Sequence, residues 1–232
     1  MSQSNSQNNS WFYEIQYSTI MDNFAFSVQR FDEFASRYAQ RFADIEPYRH
    51  GIDRFCDLIT NQRPRILELA CGPGNFTRYI KQHFPDSIYL ATDLAPRMLE
   101  IAGRNVPGVD FRLMDMRELH HLSESFDAIF CSFGLPFLSA ADALMLIVDC
   151  AQKLLPGGVL YLSTMEGDES QAGFESTSFS GSAEIYFNYH REEDIKNAML
   201  GNSFKLDTLT KQDYHNPDGS VLQDMIFIGM KI

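Results

Sequence analysis

The sequence predicts an α/β fold: a doubly wound, mostly parallel sheet of seven strands, ending in a C-terminal antiparallel hairpin and preceded by an N-terminal helical lid. Three observations predict it. From residue 64 onward, short apolar runs alternate with segments of helical period, which sets parallel strands between covering helices. The first run, Ile66-Leu67-Glu68-Leu69-Ala70, breaks at once into the small-residue loop Cys71-Gly72-Pro73-Gly74. Two long runs of strand character close the chain, and Asn216-Pro217-Asp218-Gly219 between them has the chemistry of a hairpin turn.

Before the alternation begins, Phe31, Phe34, Tyr38, Phe42 and Ile45 recur at steps of three and four, so 26–45 reads as an amphipathic helix. Pro47 opens a second helix with Ile52, Phe55 and Ile59 on one side. Strands are expected at 66–70, 87–93, 109–115, 126–132 and 159–165, with helices at 75–84, 95–105 and 140–155. Pro156-Gly157-Gly158 reads as a tight turn into the fifth strand. Residues 166–182, rich in Gly, Ser and Glu, read as a loop or mobile insertion. A short apolar piece at 185–189, a helix at 192–200 stopped by Gly201, and strands at 204–214 and 222–231 complete the chain. The expected organisation is a flexible tail at 1–20 and a single domain at 21–232, with 21–62 as the helical lid and 166–190 as a lid-like insertion.

The 232 residues carry a formal charge of −12, and no run of Lys and Arg interrupts the acidic balance. Such a charge repels phosphate backbones and anionic membranes, so neither nucleic acid nor membrane is an expected partner. Cys56, Cys71, Cys131 and Cys150 form no close pair, and no cluster has metal-ligand spacing, so no metal is expected. Residues 1–10 are mostly Ser, Asn and Gln, without the basic start and apolar stretch of a secretory signal. A reducing, cytoplasmic setting is the expectation.

The small-residue loop lies where an α/β sheet binds nucleotides, at the carboxyl end of a strand. Gly72 and Gly74 let a ligand approach the backbone closely. Asp93 ends the second strand, 19 residues beyond Gly74, and a carboxylate there can accept hydrogen bonds from two ribose hydroxyls. Leu94 and Met98 follow it, and Asp115 with Met116 ends the third strand. Ser132 and Phe133 end the fourth.

Together the alternation, the Glu68-x-Ala70-x-Gly72-x-Gly74 loop and the closing hairpin resemble the class I S-adenosylmethionine-dependent methyltransferases, chiefly over 65–165. Ala70 stands where the family's first small residue is glycine. The resemblance implies a Rossmann-like sheet, S-adenosylmethionine as cofactor, S-adenosylhomocysteine as its product, and a small-molecule acceptor. It implies cofactor contacts at Tyr38, Glu68, Ala70, Gly72, Gly74, Asp93, Leu94, Met98, Asp115, Met116 and Ser132. In the family, the acid corresponding to Asp115 accepts from the adenine amino group. Trp11, Phe133, Tyr186 and Tyr189 are candidates for the acceptor's contacts, and His190 for the proton acceptor.

Two readings compete. A nicotinamide-dependent Rossmann oxidoreductase wants Gly-x-Gly-x-x-Gly, and the third position here is Thr77. A module that binds the cofactor without catalysis and recruits a protein partner would share the same loop.

Overall fold

The computed structural model describes residues 23–177, 179–181, 183–215 and 219–232. Three helices come first, α1 (Asn23–Glu33), α2 (Ala35–Arg41) and α3 (Arg49–Leu58). Strand and helix then alternate through β1 (Arg65–Leu69), α4 (Asn75–His83), β2 (Ile88–Asp93), α5 (Pro96–Asn105), β3 (Asp110–Leu113), β4 (Phe126–Ser132), α6 (Ala140–Lys153) and β5 (Leu154–Met165). A two-stranded insertion, β6 (Gly173–Ser176) and β7 (Glu184–Phe187), precedes α7 (Glu192–Gly201). The hairpin β8 (Phe204–His215) and β9 (Val221–Lys231) ends the chain.

The seven-stranded sheet has the order β3-β2-β1-β4-β5-β9-β8. Its first five strands pair in parallel, while β9 runs antiparallel to β5 and β8 antiparallel to β9. The direction of winding reverses between β1 and β4, and the carboxyl ends of strands at such a switch point form a crevice. Side-chain alternation explains why both faces are covered. Leu67, Leu69, Leu160, Leu162 and Phe227 enter one core, and Ile66, Phe130, Tyr161, Ile226 and Ile228 the other. Near-continuous apolar runs are what such doubly covered strands require.

Caps set several boundaries. The Ser139 hydroxyl accepts the Asp142 N–H at 3.1 Å and starts α6. Pro96 occupies the first turn of α5, where its missing N–H costs no helical bond. Gly74 starts α4 from a left-handed conformation, φ 81°.

Three sequence expectations need correction. The helix expected over 26–45 is broken at Phe34 (φ −100°, ψ 14°) and ends at Arg41, because the aromatic stripe turns with the chain toward the sheet's carboxyl edge. Pro156-Gly157-Gly158 lies inside β5 as an irregularity, where pairing jumps from Phe126 with Leu154 to Ala128 with Val159. The 166–182 segment contains a capped turn, Glu169–Gln171, and strand β6. Residues 1–22 and most of the hairpin turn, 216–218, lie outside the described residues.

The insertion and the N-terminal helices meet each other. Ser27, fully buried, donates from Oγ to the Tyr186 carbonyl at 3.0 Å and accepts the Tyr186 N–H at 3.2 Å. Phe26 meets Phe174 edge-on at 5.3 Å, and Phe31 stacks on Phe179 at 5.5 Å. Phe31 also lies 4.8 Å from Phe137, which follows β4. These contacts seat both segments over the carboxyl edge of the parallel strands.

Candidate active site

A cleft opens at the switch point. The loop after β1 gives it Ala70 and Gly72, the end of β2 gives Asp93, Leu94 and Ala95, and the region after β3 gives Met114 and Met116. Ser132, Phe133 and Phe137 come from the end of β4 and its following turn, and Met98 from α5. Phe24, Val28, Phe31 and Tyr38 reach in from α1 and α2.

The small-residue loop has a backbone reason for its composition. Ala70, Gly72 and Gly74 all have positive φ, at 51°, 54° and 81°. Left-handed backbone favours glycine, so Ala70 carries a strain on the order of 1 kcal/mol. A second strained residue, Phe133 (φ 54°), follows the end of β4 and lines the same cleft. Asp93 pins the loop: its Oδ2 accepts the Gly72 N–H at 2.8 Å and its Oδ1 accepts the Ala95 N–H at 2.9 Å. Burial raises the Asp93 pKa, although these backbone donors oppose the shift. Each carboxylate oxygen keeps capacity for a further donor.

Three expected cofactor residues stand back from the cleft. Glu68, 1% exposed, accepts the Thr77 hydroxyl at 2.6 Å and the Tyr89 hydroxyl at 2.8 Å, both on Oε2. It braces the loop from beneath, and burial pushes its pKa up to about 7. Gly74 packs toward α5, where an added Cβ would lie 3.2 Å from Ala102 Cβ and 3.3 Å from Ala102 Cα. Asp115 caps the turn Met116–His121 by accepting the Arg117 N–H at 2.9 Å, and the Arg117 side chain also bonds both of its oxygens. The Arg117 guanidinium sits 3.9 Å from the Phe24 ring centroid. Tyr38, Ala70, Gly72, Asp93, Leu94, Met98, Met116, Ser132 and Phe133 all line the cleft.

His190 does not. It is 4% exposed, with Nε2 2.8 Å from the Leu135 carbonyl, and burial pushes its pKa below the usual histidine value. Its imidazole ties the insertion to the turn after β4. With Tyr189 it lines a separate depression, between the start of α7 and Asp168. Tyr189 donates to Glu175 at 2.6 Å, and Tyr186 packs edge-on against Phe174 at 5.1 Å. Neither tyrosine reaches the cleft. Trp11 lies outside the described residues.

Sequence reasoning missed Phe24, Val28, Ala95, Met114 and Phe137 as lining residues, and treated Phe31 as helix core. It also missed Gly134, where a Cβ would lie 2.7 Å from Cys131 Sγ and 3.2 Å from both Ala70 Cβ and Met116 Sδ. The Leu-Pro that follows Gly134 was the available turn signal. Among the described residues, no group of three or more His, Cys, Asp or Glu is arranged to hold a metal. No helix is long and apolar enough to cross a membrane, again among the described residues.

Comparisons agree with this geometry. A methyltransferase-domain family model matches residues 66–158. A trans-aconitate 2-methyltransferase of Methylobacterium nodulans is 32% identical over 120 residues, 52% of this chain and 45% of the relative. A demethylmenaquinone methyltransferase of Deinococcus radiodurans is 30% identical over 122 residues, 48% of this chain and 50% of the relative. The chain thus spans about half the length of these curated relatives. In fold it is similar to the magnesium protoporphyrin IX methyltransferase of Synechocystis with bound S-adenosylmethionine, at TM-score 0.67 and 15% identity, covering 92% of this chain and 99% of that one. Thr77, which replaces the third glycine of a dinucleotide fingerprint, is committed to the buried Glu68. Residues 66–158, which carry β1 to β4 and the loops that line the cleft, are thus similar to the methyltransferase-domain family, and the seven-stranded sheet with its closing hairpin is similar in fold to a methyltransferase.

Proposed function

We propose that this protein transfers a methyl group from S-adenosylmethionine to an uncharged small-molecule acceptor. One observation carries the reading: four successive strand ends, after β1, β2, β3 and β4, line one cleft that aromatic side chains cover. Gly72 and Ala70 would face the cofactor's amino-acid end, with the Tyr38 hydroxyl beside them as a donor. Asp93 would accept from the ribose hydroxyls, and Leu94, Met98, Met114 and Met116 would pack on the adenine. The N–H groups of Cys71, Gly72 and Gly74 already donate to Thr92, Asp93 and Cys71. The loop therefore serves through its carbonyls and its open backbone.

When bound, the cofactor supplies an activated methyl group on a sulfonium. The chain's own work is then alignment and exclusion of water. Ser132, whose Oγ is 3.1 Å from Ser163 Oγ, and Phe133 stand at the end of β4, where the acceptor would meet that methyl group. Segments 21–62 and 166–190 act as one lid, joined by Ser27–Tyr186 and by the Phe31, Phe137 and Phe179 rings.

The wall also bears on the acceptor. Among the described residues, Asp93 is the only charged side chain lining the cleft, and no Lys, Arg or His lines it. Residues 1–22, 178, 182 and 216–218 contain none of these three types. An acceptor with several carboxylates, such as trans-aconitate, would lose its hydration without gaining a cation. An apolar or aromatic acceptor fits the ring-lined wall. The four buried free thiols fit a reducing, cytoplasmic setting.

Calorimetric titration with S-adenosylhomocysteine tests the cofactor, and methyl-labelled cofactor offered with naphthohydroquinone or with trans-aconitate tests the acceptor. Saturable binding and label on the hydroquinone support the reading. Binding of a pyridine nucleotide in place of the thioether sinks it.

A further inference from the structure

A second set of ionisable groups lies behind the cleft, and none of them was singled out in the sequence. Asp224 is 3% exposed and stands opposite Met165, the last residue of β5. That is the end of the sheet at which Ser132 and Phe133 line the cleft, since Ser132 pairs with Ser163 and the Phe133 N–H donates to the Ser163 carbonyl. The Tyr48 hydroxyl donates to Asp224 Oδ2 at 2.8 Å. The Tyr48 ring in turn meets the Phe133 ring edge-on, with centroids 5.2 Å apart.

A buried carboxyl with one side-chain donor among the described residues is a poor structural element. Burying the charge costs far more than one hydrogen bond returns, so an apolar residue would stabilise the fold better. Such groups concentrate where chemistry needs them. The surroundings fit that use. Burial raises the Asp224 pKa to about 6, and the bond from Tyr48 opposes the shift only in part. Tyr161 from β5 feels the same carboxyl, and Tyr38 and Tyr214 face Tyr48 from α2 and β8. Lys211 stands opposite Met225 on the other face of β9, paired with Glu166 and Glu192. No Lys, Arg or His perturbs Asp224 among the described residues.

We propose that Tyr48 and Asp224 form the proton-accepting pair of the methyl transfer, taking up the hydrogen that a neutral acceptor must lose. This rests on the functional reading above. The acceptor's bond to hydrogen breaks as its bond to the methyl carbon forms, and the methyl–sulfur electron pair stays with sulfur. The released proton goes to the Tyr48 oxygen as the Tyr48 proton passes to the Asp224 carboxylate. Tyr48 is the member nearer the cleft, its ring against that of the cleft-lining Phe133, and Asp224 acts through it. The substrate class follows: a phenol, hydroquinone or other acceptor that is protonated when it arrives, and not a carboxylate that is already anionic.

The test uses the full chain with two readouts. Carbon-13 carboxyl spectra of aspartate-labelled protein follow the Asp224 titration without any turnover. Labelled cofactor with naphthohydroquinone follows transfer in wild type, Asp224→Asn and Tyr48→Phe. We expect a midpoint near pH 6 that is absent in Asp224→Asn and displaced upward in Tyr48→Phe. Both variants should lose ~100-fold or more in kcat with cofactor KM within about twofold, and the rate should lose its rise through that midpoint. Unchanged kcat in either variant overturns the pair, as does an Asp224 that titrates in the ordinary carboxylate range. So does failure to methylate the hydroquinone while S-adenosylhomocysteine still binds. Failure of S-adenosylhomocysteine to bind the wild type overturns the functional reading instead, and the spectra distinguish that outcome.

Discussion

Asp93 joins two loops and faces the cleft with the same carboxylate, which makes it the most informative single residue. Removing it leaves the Gly72 and Ala95 N–H groups without their acceptor and takes away the proposed ribose partner. Asp93→Ala should therefore weaken S-adenosylhomocysteine binding by about 1–3 kcal/mol, read by calorimetry. Glu68 gives a different prediction, in stability. Its folded pKa of about 7 lies above the ordinary 4.5, so its contribution is full below the lower value and is lost as the pH rises through the upper one. Glu68→Gln keeps an oxygen for Thr77 and Tyr89 but carries no charge. Its stability, read by thermal unfolding, should gain on the wild type between about pH 5 and 8, by an amount on the order of 1–3 kcal/mol. A constant offset across that range would contradict the burial argument. Glu68 was legible as part of the motif, whereas its role as a brace was not. Only the fold brings Thr77 and Tyr89 onto it.

At the scale of elements, the parallel half of the sheet was legible because each strand is a short apolar run with a turn at its end. The strands β1, β2, β4 and β9 lie within about one residue of their expected bounds. The first helix was misjudged because a break at one residue, Phe34, leaves the three-and-four spacing of Phe31, Tyr38 and Phe42 intact. Strand β6 was hidden because Gly, Ser and Glu carry little strand signal, and pairing with β7 decides its form. The joint between the two covering segments is equally invisible in sequence, since Ser27 and Tyr186 lie 159 residues apart. Ser27→Ala removes both of its bonds to Tyr186 and should cost about 1–3 kcal/mol, with faster proteolysis within 166–190. Unchanged proteolysis would mean that the aromatic rings alone hold the two together. Gly134→Ala would press a methyl group against Cys131, Ala70 and Met116. Its cost should be about 1–3 kcal/mol in thermal unfolding, accompanied by weaker cofactor binding, because Ala70 and Met116 both line the cleft.

For the whole molecule, the cleft arises because the winding reverses between β1 and β4, so that loops from both halves converge. That much could be read from alternation and one small-residue loop. Lid segments at 21–62 and 166–190 could be expected too, but not which rings meet in the covering wall, because these come from α1, α2, the turn after β4 and the insertion, which only the folded chain brings together. His190 was chosen for its place in sequence beside a Gly- and Ser-rich stretch, yet the fold seals it against Leu135. Asp224 was overlooked because it sits inside a strand that reads as ordinary β-structure. The net charge of −12, and a cleft that no Lys, Arg or His lines among the described residues, support the proposed uncharged acceptor. The most direct measurement of the central claim is calorimetry of the full chain with S-adenosylhomocysteine, run beside Asp93→Ala. The account predicts one saturable site in the wild type and a loss of affinity of about 5- to 150-fold in the variant. No binding to the wild type, or equal affinity in both proteins, would contradict it.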